Sequence, residues 1–449
     1  MDIIQKQAKI IELIVGKQTV QERNRYRLLS FCMVTNYKDI HLLYNNLTKE
    51  LLKISESEFN IIQGRSFSLS NLFVISLIEK WFLVDEKFDD ILFSNQILNI
   101  TKSMRQSAGV SFYDIVTTTA CNAQCFYCFE KGIDPVSMSE QVAHDVANYM
   151  VNHYDGNRIV INWFGGEPLC NALAIDQICS DLSKNNINYL SRMTTNGLLF
   201  NDKVINEAIS LWHLKNVQIT LDGLEETYNK IKNYKSANNN PYQQVVKNIF
   251  ALLKEGIAVK VRVNVDEYNI EEIYELVDQM ADLFSDYKLF SLYAHLLFDE
   301  TGDTNGHDII QGTDSLAARF LKLIEYIDKL GLRKHGELNN DIKTYFCEAD
   351  NQSAVLITPS GLSSRCEYYV LGDDSDVNVS TNLLPRKWDI YRKPIERCKT
   401  CAYYPTCLRL DNCPHCKHDC YEYEQKLHLI DLEKSIIAKY NSYISRDDV

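Results

Sequence analysis

Residues 112–128 read Phe-Tyr-Asp-Ile-Val-Thr-Thr-Thr-Ala-Cys-Asn-Ala-Gln-Cys-Phe-Tyr-Cys, an apolar stretch that leads directly into three closely spaced cysteines. The apolar part predicts a buried β-strand over 112–117, followed by a loop. Cys121, Cys125 and Cys128 then share one loop with the spacing C-x3-C-x2-C. Three thiolates on one loop can bind three irons of a four-iron cluster and leave the fourth iron without a protein ligand. A zinc site with a remote fourth ligand is the alternative that this spacing leaves open.

After this loop, short apolar segments alternate with amphipathic ones. The predicted strands are 112–117, 159–163, 189–194, 217–221, 259–265 and 289–295. The predicted helices are 139–154, 173–184, 201–212, 242–254, 270–284 and 313–330. Such alternation is typical of βαβ units around a parallel sheet. Six units predict an α/β fold with a partial (β/α)6 TIM-like barrel, whose active residues lie in the loops after the strand ends.

Polar residues and glycines follow several of these strands. The second strand ends in Trp-Phe-Gly-Gly-Glu-Pro at 163–168. Its two glycines permit close approach of the backbone to a ligand, and its glutamate can accept hydrogen bonds from an ammonium group. Later strands end in Thr195-Asn196-Gly, Thr220-Leu-Asp222-Gly and Asn264-Val-Asp. Each segment taken alone predicts no more than a capped turn.

Composition narrows the class of protein. The chain has 449 residues, of which 45% are hydrophobic and 24% charged, as in ordinary globular proteins. A formal net charge of −13 argues against nucleic acid as a partner. Because no run of 18 apolar residues occurs, we expect no membrane partner. The first residues show no secretory pattern, so we expect a cytoplasmic protein.

Cysteines are clustered a second time near the carboxyl end. The chain has 14 cysteines, and in a reducing compartment such clustering favours metal or redox ligands over disulfides. The second cluster consists of Cys347, Cys366, Cys398, Cys401, Cys407, Cys413, Cys416 and Cys420. Eight thiolates suffice for two Cys₄ iron–sulfur clusters, although the spacing also permits two zinc sites. Since regular periodicity fades over 341–420, we expect ligated metal to replace a conventional core there.

The combination of these motifs resembles a known family. C-x3-C-x2-C with Tyr127 before its last cysteine, followed by Gly-Gly-Glu-Pro, resembles the signature of radical S-adenosylmethionine (SAM) enzymes. The carboxyl-terminal cysteines resemble the SPASM extension of that family, except that Asp411 stands where the sixth cysteine is expected. Among such proteins, the chain is similar to maturases of ribosomally made peptides (RiPPs) and, more distantly, to anaerobic sulfatase-maturating enzymes.

The resemblance implies a SAM site and three four-iron clusters, one of them the catalytic cluster on Cys121, Cys125 and Cys128. The implied SAM-binding residues are Tyr127, Gly165, Gly166, Glu167, Pro168, Thr195, Asn196, Thr220, Asp222, Lys232 and Asn264. Lys232 stands where the family usually has an arginine, and a lysine offers a point charge instead of a bidentate fork. The implied outer auxiliary cluster has Cys398, Cys401, Cys407 and Cys420, and the inner one has Cys347, Cys366, Cys413 and Cys416. The division of Cys413, Cys416 and Cys420 between the two clusters stays open.

The activity that the resemblance implies is reductive cleavage of SAM to a 5′-deoxyadenosyl radical, which abstracts hydrogen from a peptide. The implied product carries a thioether or carbon–carbon crosslink. The implied partners are a precursor peptide with a leader and a one-electron reductant such as flavodoxin or ferredoxin. Two alternatives stay open: a formylglycine-generating sulfatase maturase, and a zinc-stabilised binding protein.

The predicted domain order follows the chain. It comprises an amino-terminal α+β domain (1–108), the radical SAM barrel (109–310), a bridging helical segment (311–340), the iron–sulfur SPASM domain (341–425) and a terminal helix (426–449). The first domain is loosely similar to leader-recognition domains, which can add a peptide strand to a sheet edge. A helical cap on the barrel is the alternative for this domain.

Overall fold

The computed structural model describes residues 2–22, 25–104, 109–235, 240–297, 314–336, 338–345, 347–372, 376–385, 394–407 and 420–447. The chain divides into two compact units. The smaller unit comprises Met1–Gln106, His335–Cys347 and Ile390–Val449, and the larger unit comprises Ser107–Lys334 and Glu348–Asp389.

Strands and helices are numbered along the chain within the described residues. The strands are β1 (Asp2–Gln5), β2 (Tyr26–Leu28), β3 (Cys32–Tyr37), β4 (Ile40–Asn45), β5 (Glu50–Ile54), β6 (Leu83–Asp85), β7 (Phe112–Thr118), β8 (Ile159–Gly165), β9 (Tyr189–Thr195), β10 (Leu214–Thr220), β11 (Ala258–Val265), β12 (Phe290–Leu296), β13 (Ala354–Ile357), β14 (Leu362–Ser364) and β15 (Val377–Asn378). The helices are α1 (Lys9–Val15), α2 (Glu56–Gln63), α3 (Leu72–Glu79), α4 (Asp90–Met104), α5 (Glu140–Asn152), α6 (Ala172–Lys184), α7 (Asp202–Ser210), α8 (Glu225–Lys232), α9 (Pro241–Lys254), α10 (Ile270–Phe284), α11 (Asp314–Lys329) and α12 (Glu422–Asp447).

The larger unit is built on one sheet with the strand order β12-β11-β10-β9-β8-β7-β13-β14-β15. Strands β7 to β12 are parallel, and each lies beside its neighbour in the sequence. Because helices connect these strands, the arrangement is a partial barrel of six βα units. The predicted α/β fold class is therefore confirmed, and all six strands of the predicted barrel are present.

Alternating residues give the barrel strands two different faces. In β11, Val259, Val261 and Val263 are buried, and the strand packs against α9 and α10. The residues between them, Lys260 and Arg262, point to the opposite side of the sheet. We call this opposite side the inner face; on β10 and β12 it carries Gln218 and Tyr293, whose side chains are joined by a hydrogen bond of 2.8 Å.

The sheet continues past β7, which the sequence did not predict. Strand β13 pairs with β7 in parallel, and β14 and β15 follow it in antiparallel pairing. All four residues of Ala354–Ile357 are buried. Part of the cysteine-rich region therefore has a conventional sheet core, where ligated metal was expected to replace one.

The smaller unit contains a four-stranded antiparallel sheet with the order β1-β5-β4-β3. One face packs against α2 and α3 through a core that includes Leu52, Val74 and Leu77. The other face packs against α12, where Leu51 and Ile436 share a second core cluster. Residues of the predicted amino-terminal α+β domain (1–108) lie in this unit together with later segments of the chain.

No helix in the described part of the chain is both long enough and apolar enough to cross a membrane.

Candidate functional site

The three cysteines of the first motif lie on the loop after β7, at the carboxyl end of the first barrel strand. The base of this loop is closed by Thr119, whose backbone N–H donates to Val136 (2.9 Å) and whose hydroxyl donates to the Asp134 carbonyl (2.7 Å). Near the tip, the Ala123 N–H donates to Sγ of Cys121 at 3.4 Å. All three cysteines are half-buried and none forms a disulfide.

Burial sets the acidity of these thiols. It raises the pKa of Cys121 to about 12 and that of Cys128 to about 11, although backbone N–H groups near each sulfur act in the opposite direction. Burial also raises the pKa of Cys125, and the positive charge of Lys232 opposes this rise. Since thiolates are the metal-binding form, binding of iron here releases protons.

No three His, Cys, Asp or Glu side chains in the described residues are grouped closely enough to bind a single metal ion. A single zinc ion needs its ligands around one centre. In a four-iron cluster, by contrast, each cysteine sulfur binds a different iron.

Gly165 and Gly166 bring the end of β8 against the cysteine loop. Gly165 has φ +118°, and a Cβ on Gly166 would lie 2.5 Å from the carbonyl oxygen of Thr119. The N–H groups of Gly166 and Glu167 donate to the carbonyls of Thr118 and Ala120, both at 3.0 Å. The close approach that the two glycines permit is thus an approach to backbone of the cysteine loop.

Glu167 is fully buried and joins the second strand end to the third. Its carboxylate accepts hydrogen bonds from the Thr195 hydroxyl (2.7 and 2.9 Å), the Asn196 N–H (2.8 Å) and the Leu169 N–H (3.1 Å). Burial raises the pKa of Glu167, and these donors oppose the rise. Pro168 begins the short helical turn that follows, and its carbonyl accepts from the Thr117 hydroxyl at 3.2 Å.

A second buried group surrounds Asp222, which follows β10 and is 1% exposed. Its carboxylate accepts from the Tyr127 hydroxyl at 2.5 Å and pairs with the ammonium of Lys232 at 3.0 Å. The Lys232 ammonium also donates to the Tyr127 hydroxyl at 2.9 Å. Tyr127 of the cysteine loop is therefore hydrogen-bonded directly to the residue that follows the fourth barrel strand, β10.

Lys232 stays charged in this environment. Burial alone lowers its pKa, but the negative charge of Asp222 more than compensates and holds the pKa well above its ordinary value. Lys232 lies in the last turn of α8, a short helix that was not predicted. The partners of its ammonium are the Asp222 carboxylate and the Tyr127 hydroxyl. Lys232, which stands where an arginine was expected from the resemblance, therefore binds groups of the protein itself.

The remaining predicted residues lie at the same edge of the sheet. The backbone N–H of Asn264 donates to Asp222 at 3.3 Å. The side-chain amide of Asn196 donates to the Asn122 side chain in the cysteine loop at 2.7 Å. Thr220 ends β10 beside Arg262 of β11. The predicted barrel residues thus converge on the loops after the strands.

Several residues at this site were missed by sequence reasoning. Lys235 holds the cysteine loop: its N–H donates to the Asn122 carbonyl and its ammonium to the Cys121 carbonyl, both at 2.9 Å. The side-chain amide of Asn269 donates to the Asp222 and Asn264 carbonyls at 3.0 and 2.9 Å. These residues stand in polar loops without a motif, so the sequence offers no signal that would single them out.

Two features bear on whether the site fits a cluster and SAM. The donor set is three thiols on one loop, which suits a cluster with one iron open to a ligand. Glu130, two residues after Cys128, is buried, and its Oε2 has no hydrogen-bond partner. A buried acceptor without a donor is costly, so Glu130 is suited to receive an N–H of a bound molecule. The residues present therefore fit the proposed cofactors.

The carboxyl-terminal cysteines are described in part. Cys398, Cys401 and Cys407 lie on one segment of short helical turns, and Arg397 on that segment donates to the Cys420 carbonyl at 2.7 Å. Cys347 belongs to the smaller unit and Cys366 to the larger one. Cys413 and Cys416 lie outside the described residues. The proposed division of ligands between two auxiliary clusters stays a prediction.

Comparison with known proteins identifies the class. Residues 115–280 match the family model of the Radical SAM superfamily. This segment spans β7 to α10 and contains the three cysteines. The chain therefore contains a radical SAM domain over these residues, and such domains are typical of enzymes that use SAM and a four-iron cluster.

Two proteins and one solved structure illustrate what the chain is similar to. A GTP 3′,8-cyclase of Clostridium perfringens is 26% identical over 310 residues, which are 64% of this chain and 91% of the cyclase. An uncharacterized protein of Methanocaldococcus jannaschii is 33% identical over 120 residues, 26% of this chain, and the match spans only 40% of that protein. Among solved structures, the native sulfatase-maturating enzyme anSMEcpe with bound AdoMet and Cp18Cys peptide has a TM-score of 0.55 at 16% identity, covering 74% of this chain and 99% of that one. At 16% identity, the similarity to anSMEcpe extends to the fold alone.

Proposed function

We propose that this protein is a radical SAM peptide maturase that installs a thioether or carbon–carbon crosslink in a leader-bearing precursor peptide. The observation that carries the proposal is the loop with three thiols, packed by Gly165 and Gly166 against the end of the second barrel strand. When bound, the cluster and SAM supply one-electron cleavage of SAM and abstraction of a hydrogen atom. The protein's contribution is to hold, orient and shield these groups.

Three sets of residues perform this work in the proposal. Cys121, Cys125 and Cys128 hold the cluster, with the loop fixed by Asn122 and Lys235. Glu167 is kept rigid by its three donors, so the turn that begins at Pro168 has a fixed position beside the loop. A polar group held in place before the reaction has no reorganisation cost during it.

Asp222, Lys232 and Tyr127 form the third set. We propose that Lys232 neutralises Asp222 and fixes the Tyr127 ring in the SAM site, together with Thr220, Asn264, Thr195 and Asn196. A buried carboxylate needs such a partner, because an unpaired charge in this environment is strongly destabilising.

A peptide substrate is supported by the likeness to anSMEcpe, whose solved structure contains a bound peptide. The smaller unit supports a leader-bearing substrate. Strand β3 is an edge strand, paired only with β4 among the described residues. An exposed sheet edge can accept an extended peptide through backbone hydrogen bonds. The other edge of this sheet is taken by the chain's own β1.

The carboxyl-terminal cysteines complete the proposal. Arg397 holds Cys420 to the segment with Cys398, Cys401 and Cys407, as an outer Cys₄ cluster requires. We assign Cys347, Cys366, Cys413 and Cys416 to an inner cluster. Flavodoxin or ferredoxin in the cytoplasm is the proposed electron donor, since low-potential clusters need a reducing compartment.

Sulfatase maturation is a second candidate, favoured by the fold likeness to anSMEcpe. The two candidates differ in their products. Formylglycine made from cysteine has lost its sulfur, whereas a thioether crosslink keeps it.

Anaerobic co-expression with a candidate precursor peptide, chosen from short open reading frames beside the gene, tests the proposal. A crosslink removes two hydrogens, so a loss of about 2 Da is expected in the peptide mass. The purified enzyme should contain about twelve irons, from three four-iron clusters. Finding zinc with little iron, or an unchanged peptide mass in the presence of a full iron content, would contradict the proposal.

A further inference from the structure

The inner face of the barrel carries two neighbouring cations on β11. Lys260 and Arg262 are two residues apart, so their side chains leave the same face of the strand. The Lys260 ammonium lies 4.3 Å from the centre of the Tyr293 ring on β12. Nε of Arg262 donates to the Asn264 side chain at 2.9 Å. Lys260 is accessible to solvent, and Arg262 is half-buried.

Neither cation is paired with a carboxylate in the described residues. Other basic residues of the larger unit do have acidic neighbours. Arg333 lies 3.6 Å from Asp328, and the positive charge of Arg192 acts on the Asp114 carboxyl. Partial burial and the charges of Arg333 and Arg262 lower the pKa of Lys260. This is the direction expected for an ammonium that faces positive charge without a compensating anion.

The cation pair lies beside the proposed SAM site. Arg262 is the register partner of Thr220, where β10 ends. Two residues further along β11, the Asn264 N–H donates to Asp222. A ligand bound to Arg262 on the inner face would therefore lie next to the strand ends where the chemistry is placed.

We propose that Lys260 and Arg262 bind the carboxylate of an Asp or Glu side chain of the substrate peptide, close to the residue that is modified. The inference rests on the proposed function and deepens it, because it names a property of the substrate. A guanidinium can bind a carboxylate through two parallel hydrogen bonds, and an ammonium adds a second charge-assisted contact. In a protein with a net charge of −13, a local positive site also selects where an anionic segment can bind.

The test uses blocked decapeptides with a central cysteine, in which the flanking positions carry Glu or the isosteric Gln. Binding is measured anaerobically with the reconstituted enzyme and SAM. We expect Glu peptides to bind about tenfold more tightly than Gln peptides, as charge-assisted hydrogen bonds require. Arg262→Gln and Lys260→Met should each remove most of this preference. Lys254→Ala, at the exposed end of α9, is the matched control and should keep it.

The outcomes separate this inference from the proposed function. If the wild-type enzyme binds none of the peptides, the assignment of these two residues is overturned, whereas the proposed function, whose substrate carries a leader, is decided by the co-expression experiment. If it binds Glu and Gln peptides equally, or if Arg262→Gln and Lys260→Met keep the preference, only the assignment of these two residues is overturned. If the variants lose affinity for SAM and keep the Glu preference, the two cations serve the SAM carboxylate and the assignment is overturned.

Discussion

Cys125 occupies the centre of the C-x3-C-x2-C motif, and its replacement is the most direct residue-level test of the cluster. We expect Cys125→Ala to remove about four irons per chain, because a four-iron cluster with only two protein ligands is not retained. Production of 5′-deoxyadenosine should fall to background. Iron analysis and chromatography of the SAM products measure the two effects.

Cys170 provides the matched control for that variant. It is an exposed thiol three residues after Glu167, in the same region but outside the motif. Cys170→Ala should keep the iron content and the SAM cleavage of the unmodified enzyme. Equal iron losses in both variants would contradict the assignment of the cluster to the motif.

The buried ion pair of Asp222 and Lys232 yields a second residue-level prediction. Lys232→Met leaves the Asp222 carboxylate buried with only Tyr127 and the Asn264 N–H as donors. We expect a loss of about 3–5 kcal/mol in the free energy of unfolding. Adding Asp222→Asn should recover part of this loss, because it removes the unpaired charge.

Urea denaturation of the two single variants and the double variant measures the coupling. A double variant whose loss equals the sum of the single losses would show that the two residues act independently.

The motif residues Tyr127 and Asp222 could be named from the sequence. Their direct contact could not, because the two residues are 95 positions apart in the chain.

At the level of elements, the packing of the β8 end on the cysteine loop can be tested at Gly166. A methyl group there would lie 2.5 Å from the Thr119 carbonyl oxygen, so Gly166→Ala must displace the backbone of the loop. We expect weaker retention of the cluster and a lower melting temperature. Gly336→Ala is the control, since a Cβ there meets nothing within 4 Å. Unchanged iron binding in Gly166→Ala would mean that the loop adapts.

The sequence predicted elements well wherever one pattern extended over a whole element. The barrel strands follow from apolar alternation, and their observed ends differ from the predicted ones by at most a few residues. The helix α8 was missed because Glu225–Lys232 is mostly charged and polar, with only Tyr228 and Lys232 buried. In the smaller unit, β5 is followed directly by α2, because Ser55 and Glu58 form a capping box that starts the helix there.

The whole molecule groups segments that are far apart in the chain, and this grouping could not be predicted. In the smaller unit, the Phe31 ring stacks on Tyr404 with centroids 5.8 Å apart, and the Asn46 amide donates to the Ala402 carbonyl at 2.8 Å. Residues near Cys401 thus share a core with the amino-terminal sheet. Neither periodicity nor motif spacing carries information about such contacts, because they depend on tertiary packing.

We expect Asp114 to make the stability of the protein depend on pH. Burial raises its pKa to about 7, although the Asn162 amide opposes the rise, and nearby Glu348 adds to it. The unfolded chain loses this proton near the ordinary pKa of 3.8. Between these two values the folded protein binds the extra proton, so its stability falls as the pH rises from about 4 to about 7.

Asp114→Asn removes this dependence. Relative to the unmodified protein, the variant should gain stability steadily between about pH 4 and pH 7, by no more than about 4 kcal/mol, and the difference should then stay constant. Urea denaturation of the metal-free protein across this range measures the difference, and Asp202→Asn, an exposed carboxyl at the start of α7, is the control. A constant difference between Asp114→Asn and the unmodified protein over the whole range would show that Asp114 ionises in the folded state as readily as in the unfolded chain.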